Sequence, residues 1–177
     1  MKILVRGVTI MINKIISTFG SQAILAKYLD REPQRQLLLL KPSESDEDFQ
    51  LLDLSNQPTF FNSPLRYDVR YHIGTSNFTG FFSFLYLTFT TEDSVKVFRA
   101  QFDQLCKQAD QFIGLNDLFL LRVDAARIEY VIFSIWQRDA DFFNWRNSTD
   151  FQQLKPYLRA GHGVQQFHQT NYVLAQE

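Results

Sequence analysis

The sequence predicts an α+β fold: a ferredoxin-like βαββαβ unit over residues 80–177, preceded by a β-rich extension over residues 1–79. Three observations carry this expectation. From Phe81 onward the chain reads strand, helix, strand, strand, helix, strand. The aromatic residues crowd into the same stretch, with 12 of the 18 Phe and both Trp between Phe81 and Phe151. Two of the expected strands are apolar on both faces, which requires protein on both sides of the sheet.

In the extension, Ile12–Ser17 and Ser21–Leu29 read as β-prone segments around Phe19-Gly20. Gln36–Leu40 is a short apolar run ended by Lys41-Pro42 and the acidic stretch to Asp48. Phe49–Leu54 alternates, and Asn56-Gln57-Pro58 turns the chain. In Leu65–Ile73, Leu65, Tyr67, Val69, Tyr71 and Ile73 oppose Arg66, Asp68, Arg70 and His72, the pattern of a half-solvated strand with His72 in water. No repeat of solenoid period is visible.

The second unit is better marked. In Phe81–Thr90, Phe81, Leu85, Leu87 and Phe89 fall on one face and Phe82, Phe84 and Tyr86 on the other. Thr91 supplies a capping hydroxyl, and Glu92 and Asp93 suit the positive end of a helix dipole. Val95, Phe98, Phe102, Leu105, Ala109 and Phe112 then recur at steps of three and four until Gly114 stops the helix. Leu118–Val123 and Ile128–Trp136 form a hairpin around Asp124–Arg127. Asp139 caps a short helix to Arg146, Pro156 limits a further turn, and Val164–Leu174 closes the sheet. Either the N-terminal strands or a second subunit could cover the remaining face, and we expect a homodimer with sheets packed face to face.

Composition bounds the function classes. A formal charge of −1 and a pI near 6.3 give no electrostatic footprint for nucleic acid. A lone Cys106 excludes an intrachain disulfide and a cysteine metal cage, consistent with a cytoplasmic location. Met1–Ile16 is apolar but interrupted by Arg6, Asn13 and Lys14, so no integral membrane segment is expected; Met11 offers a second start position. The excess of Phe implies a large aromatic core first and a pocket for a small apolar or aromatic ligand second.

Ile132-Phe-Ser-Ile-Trp136, followed by Phe142, Phe143, Trp145, Ser148 and Phe151, resembles the antibiotic-biosynthesis-monooxygenase (ABM) domain family. Within it the run is similar to the haem-degrading IsdG and HmoB type, and the two-part layout to HmoB and TRAP-like members. The resemblance implies a dimeric α/β barrel with a cleft between helices and sheet. It also implies a catalytic Asn on the first strand, a Trp on the second helical segment and an iron-binding His ten residues beyond. Trp145 matches the Trp, whereas Leu85 stands at the Asn position and Lys155 at the His position. Leu offers no hydrogen bond, and a protonated Lys offers iron no lone pair.

His162, in a Gly-flanked loop, is an alternative imidazole, although a loop histidine is ordinarily solvated; His168 reads as a surface strand residue. Two functions follow. One is an oxygen-dependent monooxygenase without a cofactor of its own, binding haem or an aromatic substrate, with Trp145 packed on the ligand and Lys155 paired to its carboxylate. The other is a non-catalytic, TRAP-like ligand-binding or stress-regulatory protein.

Overall fold

The computed structural model describes residues 11–44 and 46–175. The segment that a start at Met11 would remove lies outside them. Eight antiparallel strands form one closed barrel: β1 (Lys14–Gly20), β2 (Leu37–Pro42), β3 (Phe49–Asp53), β4 (Leu65–Gly74), β5 (Phe81–Phe89), β6 (Leu115–Val123), β7 (Ile128–Trp136) and β8 (Val164–Leu174). The spatial order is β1-β3-β2-β8-β5-β7-β6-β4, with β4 returning to pair with β1.

The second unit follows the sequence expectation closely. Its strands lie in the order β8-β5-β7-β6, the ferredoxin-like arrangement. Helix α2 (Glu92–Cys106) starts where Thr91 Oγ1 accepts the Ser94 backbone N–H at 3.1 Å. Helix α3 (Asp139–Arg146) starts one residue earlier than expected, with Arg138 at the cap position and Asp139 in the first turn. Gly114 takes a φ of +81°, and a side chain there would collide with Asp141, so this reversal tolerates only glycine.

The extension repeats the same plan. Its strands lie in the order β4-β1-β3-β2, matching the second unit position for position, and one helix follows its first strand. That helix, α1 (Gln22–Arg31), occupies a segment expected to be β-prone. Leu25, Tyr28 and Leu29 fall at helical spacing and pack on Ile16, Leu51 and Phe61, so tertiary burial of that stripe decides the conformation. No second helix follows β3. The irregular stretch 54–64 replaces it, held by Arg35, which donates to the Pro58 carbonyl at 3.0 Å and lies over the Phe60 ring. Arg35 also pairs with buried Asp53 at 2.8 Å.

The two-faced strands now have their partners. The outer residues Phe81, Leu85, Leu87 and Phe89 of β5 pack with α2, α3 and the turn after α3 in one buried cluster. The inner residues Phe82 and Phe84 join Phe119, Phe133, Tyr67, Leu52, Leu40 and Ile15 inside the barrel. The face that argued for a second subunit is therefore covered by the chain's own N-terminal strands, and the barrel closes within one chain. Among the described residues no helix is long and apolar enough to cross a membrane.

Strand β4 departs from simple alternation. Its register against β6 shifts between Val69 and Tyr71. Beyond this bulge Tyr71 packs outward on Phe102, while His72 stacks on the inner-core ring of Phe119 at 3.9 Å. His72 is thus not a solvated residue: its Nε2 lies 2.8 Å from Oδ1 of fully buried Asp117. Around the β6–β7 hairpin, Arg122 is bonded to Glu92 at 2.6 Å and Arg127 to Glu129 at 2.9 Å.

Two measurements test this interior. Truncating His72 to Ala leaves the buried Asp117 carboxylate with the Ser76 backbone N–H at 3.0 Å but without its ring partner, and should cost about 2–3 kcal/mol in denaturant unfolding; a loss under ~0.5 kcal/mol would mean the pair is not formed. Burial pushes the Tyr67 phenol from 10.0 to about 12, despite the hydrogen bond to Tyr86. The folded state thus keeps its proton where the unfolded state releases it. This contribution is whole below pH ~10 and lost as pH rises towards ~12, about 2–3 kcal/mol in all. Tyr67→Phe should flatten that alkaline loss in pH-dependent unfolding.

Candidate functional site

Trp145 lies on α3, whose short amphipathic run places Phe142 and Trp145 against the sheet. The indole is 5% exposed and touches Phe112, Trp136 and Phe151, with centroids 5.8, 5.0 and 4.6 Å away. Trp136 is fixed in turn from β7, where its Nε1 donates to Ser134 Oγ at 2.8 Å. The Trp145 Nε1 donor has no such acceptor although it is buried.

Arg146, the next residue, braces α3 against β8: it donates to the Gln169 side chain and lies over the Phe142 and Phe151 rings. Burial pulls its guanidinium below the ordinary arginine value, so this cation is held in a partly desolvated layer.

Leu85 is fully buried in the same layer as Trp145, and the space between sheet and helices is filled by Phe98, Phe102, Leu118, Phe151 and Leu154. Lys155 belongs to the 3-10 turn Gln152–Tyr157 and is exposed. His162 is exposed in its loop with a φ of +52°, its ring 6.3 Å from that of Tyr157. Trp145 and Leu85 therefore share one packed cluster, while Lys155 and His162 stand at the surface. This arrangement does not fit a haem: among the described residues the layer between sheet and helices is filled by aromatic and aliphatic side chains, and no imidazole stands in it.

A cavity of about 380 Å3 does reach Trp145, but its walls are Gln111, Phe112, Arg138, Asp141 and Asn144, with no strand residue among its lining. Arg138 donates to both Asp141 oxygens, at 2.8 and 3.2 Å, and these bonds hold the Asp141 carboxyl below its ordinary value. The pair is a ready ion-pair rim, and the sequence marked neither residue. Cys106 is inert by comparison: burial pushes its thiol up to about 12.

A further polar group escaped the sequence reading. Inside the barrel the Tyr67 and Tyr86 hydroxyls lie 2.9 Å apart, and Thr88 donates to Glu129 at 3.1 Å. Period-two alternation could have put Tyr86, Thr88 and Glu129 on inner faces, but only barrel closure brings β4, β5 and β7 together around them.

No protein-family profile matches the chain, and no curated protein does. Solved structures do. An uncharacterised ferredoxin-fold protein from Listeria monocytogenes, related to antibiotic biosynthesis monooxygenases, aligns with a TM-score of 0.78 at 15% identity, over 94% of this chain and 97% of that one. The haem-degrading enzyme LmHde from the same organism aligns with a TM-score of 0.73 at 18% identity, over 92% and 99%. A major regulator of staphylococcal pathogenesis aligns with a TM-score of 0.79 at 16% identity, again over 92% and 99%. Likeness over nearly the whole length, N-terminal strands included, gives this chain the two-part, ferredoxin-like fold of the ABM-related, monooxygenase-like proteins.

Proposed function

We propose that this chain uses the ABM-type fold as a binding scaffold, in a regulatory or ligand-sensing role, and not as a haem-degrading oxygenase. The observation that carries this reading is the filled layer around Trp145, with aliphatic Leu85 inside it and Lys155 outside it. A haem pressed between sheet and helices would have to displace Phe98, Phe102 or Phe151, each a buried ring whose loss of contact costs several kcal/mol. The likeness to a staphylococcal regulator supports the same reading from the side of the fold.

One observation favours a second reading, an oxygen-dependent monooxygenase acting on a small apolar or aromatic substrate. The buried Trp145 Nε1 lacks an acceptor, and such orphaned donors are uncommon in native interiors. In that reading a substrate oxygen accepts from the indole, the ring packs on the substrate, and Lys155 or His162 closes over it from the surface.

A haemin titration separates the readings that involve haem. Under the binding-scaffold reading the Soret band stays that of free haemin at one equivalent; a shifted band that bleaches with reductant and oxygen would overturn it. Stability measurements address Trp145 itself. As a core residue, Trp145→Ala should lose about 3–5 kcal/mol, while Lys155→Ala and His162→Ala should stay within roughly 0.5 kcal/mol of the parent. A Trp145→Ala loss below ~1 kcal/mol would mean that the ring is loosely held and would favour the substrate-binding alternative.

A further inference from the structure

A cavity of about 360 Å3 opens at one end of the barrel interior, on the opposite face of the sheet from Trp145. Its volume lies within the range of small-molecule sites. Three rings line it, Phe19, Tyr86 and Tyr172, and its charged wall is Glu129 of β7.

Glu129 is only 5% exposed. Its Oε2 accepts from Thr88 at 3.1 Å and pairs with Arg127 at 2.9 Å. A carboxylate this deep in an apolar barrel is costly, and packing alone would favour an apolar residue of its size. Its counter-ion is weakly committed, since the Arg127 side chain is 61% exposed and reaches in from the rim. His168 is the other basic group at the rim.

A second polar group on the same interior wall lacks protein partners. Gln50 of β3 is fully buried, faces inward with Leu52, and sits cross-strand from Phe19. Neither its side-chain nitrogen nor its oxygen has a hydrogen-bond partner. Buried polar groups are ordinarily satisfied, so this amide, though not itself in the cavity lining, adds open hydrogen-bonding capacity to the interior beside Phe19.

The combination of aromatic faces and one desolvated carboxylate selects positive charge. Ring quadrupoles attract cations at their faces, and the carboxylate supplies a charge-assisted acceptor. An anion would meet Glu129 at close range, and a neutral hydrocarbon would leave the carboxylate with the partners it already has. We propose that this mouth binds a small organic cation, an ammonium whose N–H groups donate to Glu129 while its apolar body packs on Phe19, Tyr86 and Tyr172. Arg127 then swings from Glu129 into water as the ligand enters. The inference rests on the reading of the chain as a binding scaffold and adds the class of ligand.

The test uses the full chain with 13C-labelled methyl groups and follows Leu65 and Val123, which line the cavity. Benzylamine, cationic at neutral pH, should shift both methyl signals saturably. Glu129→Gln keeps the shape and the Thr88 hydrogen bond but removes the charge, and should weaken binding roughly tenfold, the weight of one charge-assisted hydrogen bond. Phe19→Ser alters a half-exposed ring, so the fold should persist, and it too should weaken binding. Equal or tighter binding of benzoate or benzyl alcohol, undiminished binding by Glu129→Gln, or unmoved methyl signals with benzylamine would each overturn the proposal. Haemin is read by its Soret band and concerns the other face of the sheet, so a failure of the scaffold reading is told apart from a failure of this ligand assignment.

Discussion

The architecture depends on the cost of leaving β5 and β7 wet on either face. Nearly every side chain of these neighbouring strands is buried. At about 25 cal/mol per Å2 of apolar surface, exposing either face of the pair would exceed the few kcal/mol by which a domain is stable. Helices α2 and α3 satisfy the outer face. The inner face requires a second sheet, and β1 to β4 supply it by wrapping round until β2 meets β8 and β4 meets β6. Closure also removes the unpaired edges that an open four-stranded sheet would present.

Two layers of the molecule therefore carry different chemistry. The outer layer is sealed by aromatic contacts among Trp136, Phe142, Trp145 and Phe151, and of its charged residues Arg146 is braced by Gln169 and Asp141 is paired with Arg138. The inner layer is apolar through its middle but becomes polar towards one end, where Tyr67, Tyr86, Thr88 and Glu129 form short hydrogen-bonded pairs. Both phenols are held neutral by burial, Tyr86 well above its ordinary value. The fold resembles that of a haem-degrading enzyme, but function resides in the site and not in the fold. Here the layer where that chemistry would sit is occupied by the protein itself.

Much of this was legible in the sequence where period and burial agree. The stripe from Val95 to Leu105, the Thr91 cap and the two-faced β5 all follow from local spacing, but the helix expected to run to Gly114 ends at Cys106, and Ala109 and Phe112 reach the same cluster from a separate 3-10 turn and the residue after it. Local signals failed where long-range pairing decides. Residues 21–29 read as β-prone, yet their Leu25, Tyr28 and Leu29 stripe finds a groove on β1 and β3 and becomes helical. His72 sits in an unbroken polar alternation, but one bulge at Val69/Tyr71 turns it half-buried onto the inner face, and alternation contains no record of an inserted residue. The repeated strand order of the two units is equally hidden, because the N-terminal unit replaces its second helix with an irregular stretch. Trp145 was visible as a candidate; Lys155 was placed by a spacing that says nothing about exposure, and His162 is the exposed loop histidine that its flanking glycines suggested.

The position of β8 has a consequence for how the molecule is made. This last strand is not an edge: it lies between β5 and β2, joining the two units by hydrogen bonds on both sides. A folding chain whose β8 has not yet docked therefore lacks the stave that joins its two units. Until then β5 and β2 each expose an unpaired border with a greasy flank, an invitation to pair with another nascent copy. Docking of β8 thus closes the most hazardous gap in the barrel, and the interval before it docks is when chaperone cover matters most.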